Sequence, residues 1–220
     1  MNRNYAKELQ ALIRGLKGEA PTLLLHACCA PCSSAVLAYL ADYFDISLLF
    51  YNPNIAPQAE YGKRLQELER LVGEMPLGHP PRLVPCPYDA PAFDRAAAGL
   101  EGEPEGGARC LACYRLRLEE AAKTARRLGL DYFTTTLSIS PLKNAQALNR
   151  MGEELGEKYG VRHLPADFKK QEGYKRSVEL SRTYGLYRQD YCGCRYSKAQ
   201  REREKAEKNR REGGAAHGDA

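Results

Sequence analysis

Short apolar runs alternate along the chain with longer stretches in which apolar residues recur at helical spacing. Thr22–His26 (TLLLH), between Pro21 and a group of cysteines, reads as a buried strand. Asp45–Tyr51 (DISLLFY) reads as a second strand and Arg82–Pro87 as a third. Asp131–Leu137 (DYFTTTL), rich in β-branched and aromatic residues, reads as a fourth, with the Thr134–Thr136 run as strand filling. Val161–Leu164 predicts a short fifth. Helices are predicted between these runs. They cover residues 1–18, the stretch SAVLAYLADY capped by Ser33 or Ser34, Tyr61–Met75, residues 111–129, NAQALNRMGEELGEKYG, and the region near Ser177–Tyr184. Gly129 stands where a helix end favours glycine. Residues 99–109 read as a loop, and a charged helix from Ser197 leads into a disordered tail, GGAAHGDA. This alternation predicts a parallel sheet flanked by helices, an α/β fold with a charged C-terminal helix. Residues 1–197 are expected to form one catalytic domain, with 1–20 as a helical extension; 198–220 are expected to form the basic helix and tail.

A length of 220 residues suits one such domain. No apolar run approaches the roughly 18 residues of a membrane span, so no membrane partner is expected. The charged N-terminal stretch has no signal-peptide core, which predicts a cytoplasmic protein. In that reducing compartment eight cysteines point to metal or redox chemistry rather than to a disulfide scaffold. The net charge of +5 is mild, but Lys and Arg concentrate in residues 169–188 and 195–211. Tyr174, Tyr184, Tyr187, Tyr191 and Tyr196 lie among them. Such a surface can neutralise phosphates and stack unpaired bases. A solvated helix face over core tyrosines produces the same pattern, and charge alone leaves both readings open.

The cysteines fall in three groups: Cys28, Cys29 and Cys32; Cys110 and Cys113; Cys192 and Cys194. The first group follows the first predicted strand, where an open α/β sheet binds ligands and where a helix N-terminus favours thiolate. Cys110-x-x-Cys113 opens a predicted helix, and its spacing suits a redox pair, half a zinc site or half a cluster site. Together with Cys28 and Cys29 it would supply four thiolates, suited to zinc or a [4Fe–4S] cluster. Cys192-Gly193-Cys194 can close a strained, easily reduced disulfide because glycine bends freely; a further metal pair is the rival reading. Cys86 reads as a strand residue without a role, and His26 as a hydrogen-bonded structural residue beside the thiols. Ser138–Asn144 lies at a strand-to-helix turn and suits either ligand binding or helix capping.

Longer motifs add to this. HACCAPCSS, YNPNI with the following EY-x-x-R, EPEGGARCLACYRLRLEEAA, DYFTTTLSISPLKN, LPADFKK-x-x-GYKRS-x-EL and LYRQDYCGC-x-YS occur in this order over residues 21–198. They resemble the QueH-type epoxyqueuosine reductases. The resemblance implies a nucleotide α-hydrolase-like fold. It implies cobalamin-independent reduction of epoxyqueuosine to queuosine at the wobble position of tRNA, the last step in making that base. It implies a [4Fe–4S] cluster on Cys28, Cys29, Cys110 and Cys113, and a redox-active disulfide between Cys192 and Cys194. A second mononuclear iron or zinc would take Cys32, since relatives can carry Asp there. The partners implied are tRNA carrying epoxyqueuosine in its anticodon loop and an external electron donor, without ATP. On this reading Lys143, Lys169, Lys170, Lys175, Arg176 and Arg188 contact tRNA phosphates, Asp190 or Tyr191 donates a proton, and Ser177 is a surface residue of little consequence. The alternative from a different class is a zinc-stapled, non-catalytic RNA-binding protein.

Overall fold

The computed structural model describes residues 3–215. Five strands form one wholly parallel sheet: β1 (Thr22–His26), β2 (Asp45–Leu49), β3 (Arg82–Val84), β4 (Tyr132–Thr135) and β5 (Arg162–His163). Their order is β3-β2-β1-β4-β5. The chain therefore winds outward from β1 in one direction and, after β4, in the other. The strand ends of β1 and β4 flank the point where the winding reverses, which is where such sheets open a ligand crevice.

Alternation along each strand divides the core. Leu23 and Leu25 face the side covered by α1 (Tyr5–Gly15), α2 (Ala30–Leu40) and α3 (Gln58–Glu74). Leu24 and Phe133 face α5 (Ala108–Arg127) and α6 (Ala145–Tyr159), through Leu118, Ala121, Leu148 and Leu155. Strands buried on both faces read as unbroken apolar runs, which is why TLLLH and YFTT were legible. This is the α/β arrangement expected, and a long C-terminal helix, α8 (Arg195–Ala215), completes it.

Several boundaries differ, each for a local reason. The second and third strands stop at Leu49 and Val84, so Cys86 lies beyond β3 in the following loop and not in a strand. The fourth strand ends at Thr135, and Thr136–Ile139 form a 3-10 turn. Helix α2 starts earlier than the serines suggest: Cys29 is its N-cap and Pro31 sits in its first turn. Ser33 and Ser34 are inside the helix, where their hydroxyls donate back to Cys29 O (2.8 Å) and Pro31 O (2.9 Å). Helix α4 (Ala90–Ala97), capped by Asp89 onto Ala92 N–H, was not anticipated. Gly129 does end α5: Gly129 N–H donates to Arg126 O and Leu130 N–H to Ala125 O, which satisfies two terminal carbonyls. Helix α8 begins before Ser197 and runs on through Gly213, where a tail was expected; the rest of that tail, residues 216–220 with His217, lies outside the described residues.

Helix α7 (Gly173–Thr183) packs on α2 and brings Tyr174 and Ser177 to the crevice. Its entry allows no side chain at Gly173, where a Cβ would lie 1.9 Å from the carbonyl oxygen of Phe168. Backbone cannot yield as a side-chain tip can. Gly173→Ala is expected to cost roughly 1–3 kcal/mol of stability, seen as a lowered Tm.

Candidate functional site

The ends of β1 and β4 are tied together before any cysteine is reached. His26, fully buried, places Nε2 2.9 Å from Tyr51 O and Nδ1 2.8 Å from Thr135 Oγ1. A carbonyl only accepts, so Nε2 carries the proton and Nδ1 accepts from the Thr135 hydroxyl. Burial holds this imidazole neutral, with its pKa lowered to about 3. His26 is thus the structural residue expected. The adjoining threonines are more than strand filling. Cys28 N–H donates to Thr136 Oγ1 at 3.1 Å, and that hydroxyl lies 3.2 Å from Cys28 Sγ.

Three sulfurs meet at this point. The Sγ atoms of Cys28, Cys29 and Cys32 all lie within 4.8 Å of one another, a grouping that suits a metal ion. Cys29 caps α2, so the sulfurs stand at the N-terminus of that helix, whose dipole favours thiolate. Cys28 is the most acidic thiol of the three. Cys29 and Cys32 donate to it, and with Arg117 and Thr136 they outweigh burial and hold its pKa well below the usual thiol value. The same contacts, with burial, push Cys29 and Cys32 up.

Cys110 and Cys113 do not join this triad. Cys110 sits in the first turn of α5, where its Sγ accepts Gly106 N–H at 3.2 Å. Cys113 is one turn on and buried beside Cys194, Phe93 and Ala97. Burial pushes its thiol up to about 12. Arg117 links the two groups. It is 2% exposed, donates from Nη2 to Asn52 Oδ1, and lies among Cys113, Cys192 and Cys28, whose sulfurs favour its charged form against burial. Among the described residues its Nε and Nη1 meet no hydrogen-bond acceptor. Asn52 in turn donates to Ala27 O at 2.9 Å, so the turn after β2 holds both the arginine and the first cysteine loop.

The two sulfurs of Cys192-Gly193-Cys194 are free thiols here. Gly193 has φ +115°, a left-handed conformation that favours glycine, and a Cβ there would lie 2.9 Å from Arg64 Nη1. Arg64 is 2% exposed; its Nη1 donates to Cys192 O (3.3 Å) and its Nε to Glu60 (2.7 Å). Ala56 N–H adds a bond to Gly193 O at 3.0 Å. On the far side Ser197 accepts Cys192 N–H at 3.0 Å, and its own N–H lies 3.3 Å from Cys194 Sγ. Ser197 Oγ donates to Glu105 (3.1 Å), which also pairs with Lys143 (3.1 Å). Burial opposes the Lys143 charge, but Cys192, Tyr114 and Glu105 outweigh it and raise its pKa.

All of this surrounds one cleft of about 330 Å³. Cys28, Cys29, Cys32 and Cys192 line it, with Arg64, Glu105, Arg117 and Lys143 among its polar walls. Leu142 (64% exposed) and Tyr174 (41%) stand in its wall, from the turn before α6 and the start of α7. The Ser138–Asn144 turn therefore both lines the cleft and caps α6, through Asn144 Oδ1 and Ala147 N–H.

The basic residues divide. Arg188 lines the cleft. Lys143 does too, but it is buried and ion-paired, so it is no surface phosphate contact. Lys169 pairs with Asp167 and Lys175 with Glu172, both outside the cleft. Lys170 and Arg176 border a second, apolar pocket behind Ile139. Asp190 pairs with Lys205, which holds its carboxyl below the usual range and makes it a poor proton donor. Ser177 is buried in the cleft wall and is not a surface residue. Tyr191 lines the cleft, whereas Tyr187 packs against Lys63 and Tyr196 against Arg109. Cys86 stays apart, near Glu120 and Asp89.

A family model described as epoxyqueuosine reductase QueH matches residues 23–200. The chain belongs to the epoxyqueuosine reductase QueH family. It is 44% identical to the epoxyqueuosine reductase QueH of Staphylococcus epidermidis over 197 residues, 87% of this chain and 83% of that one. The protein of the same name from Streptococcus pyogenes serotype M1 is 41% identical, covering 88% of this chain and 78% of its own. That from Thermotoga maritima is 35% identical, over 87% and 98% respectively. The stretch that matches the QueH family spans every cysteine of the chain. The sequence analysis gave Arg117, Arg64, Asn52, Glu105 and Ser197 no role of their own, although each stands in one of the motifs quoted there. Arg117 carried a usable signal, standing four residues after Cys113 on one helix face. Among the described residues no helix is long and apolar enough to cross a membrane.

Proposed function

We propose that this chain reduces epoxyqueuosine to queuosine at the wobble position of tRNA, without cobalamin or ATP, and is recharged by an external electron donor. The observation that carries this reading is the meeting of Cys192 and the Cys28–Cys29–Cys32 triad in one cleft, at the point where the sheet reverses its winding.

The donor set fits an anionic metal–thiolate group. Its members are soft sulfurs, and the buried guanidinium of Arg117 beside them has two nitrogens that meet no acceptor among the described residues. Cys28, Cys29, Cys110 and Cys113 would hold a [4Fe–4S] cluster, and Cys32 a second iron or zinc. When bound, the cluster supplies single electrons at a potential tuned by burial and hydrogen bonds. The remaining work belongs to the chain. Cys192 and Cys194 cycle between dithiol and disulfide, and oxidation of two thiols releases the two electrons and two protons that convert an epoxide to an alkene and water. Tyr174 and Leu142 offer the apolar surface on which a splayed-out base can stack, and Arg188 offers charge for its phosphates.

The test is the iron and sulfide content and visible spectrum of anaerobically purified protein, with conversion of epoxyqueuosine in tRNA measured alongside. About four irons or more per chain are expected, lost together with activity in Cys110→Ala/Cys113→Ala. A colourless protein with stoichiometric zinc and no conversion would sink this reading in favour of a zinc-stapled RNA-binding protein.

A further inference from the structure

The cleft contains one buried ion pair that neither the metal thiols nor the dithiol accounts for. Lys143 stands immediately before Asn144, the cap of α6, and is 8% exposed. Its Nζ lies 3.1 Å from Glu105 Oε1. The other Glu105 oxygen accepts from Ser197 Oγ, which accepts Cys192 N–H. One continuous chain of hydrogen bonds thus joins the ammonium to the backbone of the cleft-facing cysteine. An ammonium has three N–H donors, and among the described residues Glu105 is the one hydrogen-bond acceptor that the Lys143 ammonium meets. The others are available to a ligand, since Lys143, Glu105 and Cys192 all line the cleft.

An epoxide oxygen leaves as water only if it gains two protons. We propose that Lys143 is the proton donor to the oxygen that leaves the substrate, and that Glu105 positions it. The inference rests on the epoxide reduction proposed above. The epoxide loses both C–O bonds and gains a C=C bond, while two thiols form one S–S bond. Two electrons and two protons pass from the dithiol to the substrate, and the oxygen departs as water. One proton goes by way of Lys143. The ammonium protonates the oxygen as the first C–O bond opens, and the amine regains a proton from the thiol that is oxidised. An alkoxide is more basic than any lysine amine, so even a tightly held proton transfers downhill. Asp190 cannot take this role, being a carboxylate paired with Lys205 and half exposed.

The test is single-turnover conversion of epoxyqueuosine-containing tRNA by anaerobically purified, metal-replete enzyme, read by mass spectrometry of the digested nucleosides. Lys143→Ala is expected to slow conversion by about 10²–10⁴-fold while tRNA affinity and iron content stay at parent values. Methylammonium added to the Ala variant is expected to restore part of the rate and tetramethylammonium, which has the charge but no N–H, none; a counter-ion role would make the two alike. Lys143→Arg keeps the charge but puts a bulkier planar fork where the compact ammonium sits, so no N–H stands where Nζ stood, and it is expected to stay slow. Glu105→Gln is expected to lower the rate at saturation and leave half-saturation unchanged. Parent-like rates in Lys143→Arg or Lys143→Ala, or no response of a folded Ala variant to methylammonium, would overturn the proposal. If Lys143→Ala fails to fold or to hold metal, Lys143→Arg and Glu105→Gln decide: slow, metal-replete variants support it and parent-like rates overturn it. A parent protein that converts nothing would instead remove the reductase reading itself, and the two failures are told apart by that control.

Discussion

Cys192→Ser protein prepared without oxygen is expected to keep its iron and lose epoxyqueuosine conversion by on the order of 10³-fold or more, as when one member of a catalytic unit is removed. The reason is an asymmetry between two cysteines only two positions apart. Cys192 lines the cleft, whereas Cys194 is 6% exposed and packs behind it with Cys113, Phe93 and Ala97. The loop is pinned from both sides, by Arg64 on Cys192 O and by Ser197 on Cys192 N–H. Only Cys192 can therefore present its sulfur to a substrate, and Cys194 serves as the thiol that closes the disulfide. Iodoacetamide should accordingly label Cys192 ahead of Cys194 in the reduced protein, and bound tRNA should protect it. A Cys192→Ser variant that converts substrate at a rate near the parent's, or labelling that strikes Cys194 first, would contradict this division of roles.

Replacing Arg117 by Met is expected to cost about 3–5 kcal/mol of stability, the loss typical of breaking a buried charged contact from one side. Arg117 is among the largest fully buried side chains of the protein and spans from Asn52 to the neighbourhood of three thiols. Methionine replaces its aliphatic stem but leaves Asn52 Oδ1 without its donor and Cys28 without the positive charge that helps hold its pKa down. Iron content should fall with stability, because the negative charge of a thiolate-bound metal group would then lie buried without a counter-charge. Lysine should not restore either property: a single ammonium cannot hold Asn52 and face the thiols with a planar fork. Anaerobic urea denaturation and iron analysis provide the check. A stability change under about 1 kcal/mol with full iron occupancy would show that the guanidinium is dispensable.

The chemistry proposed depends on contacts between residues far apart in sequence. Glu105 and Ser197 are 92 positions apart, and Arg64 and Cys192 128 apart, yet each pair shares a hydrogen bond. A loop glutamate among glycines and a serine in a basic helix carry no local signature of such partnership. The same holds for Lys143. In sequence it is one more cation in a basic protein suited to RNA, and only its burial against Glu105 sets it apart from the exposed Lys170 or Lys175.

The sequence by itself determined the alternation of strands and helices, since strands buried on both faces must be continuously apolar and helices beside them must carry an apolar stripe. It also grouped the cysteines, because Cys28, Cys29 and Cys32 sit on one strand-to-helix turn and no tertiary contact is needed to bring them near. Local signals were weaker at element ends. Ser33 and Ser34 looked like caps, yet a proline after Cys29 started the helix one turn sooner and turned both hydroxyls back on their own backbone. Only the tertiary structure decided which cysteine of the last pair faces the cleft, which threonines support Cys28, and which cations are buried. Those outcomes follow from the reversal of winding between β1 and β4, which sets the turn after each strand against residues from α3, α5, α7 and α8 that no sequence period connects.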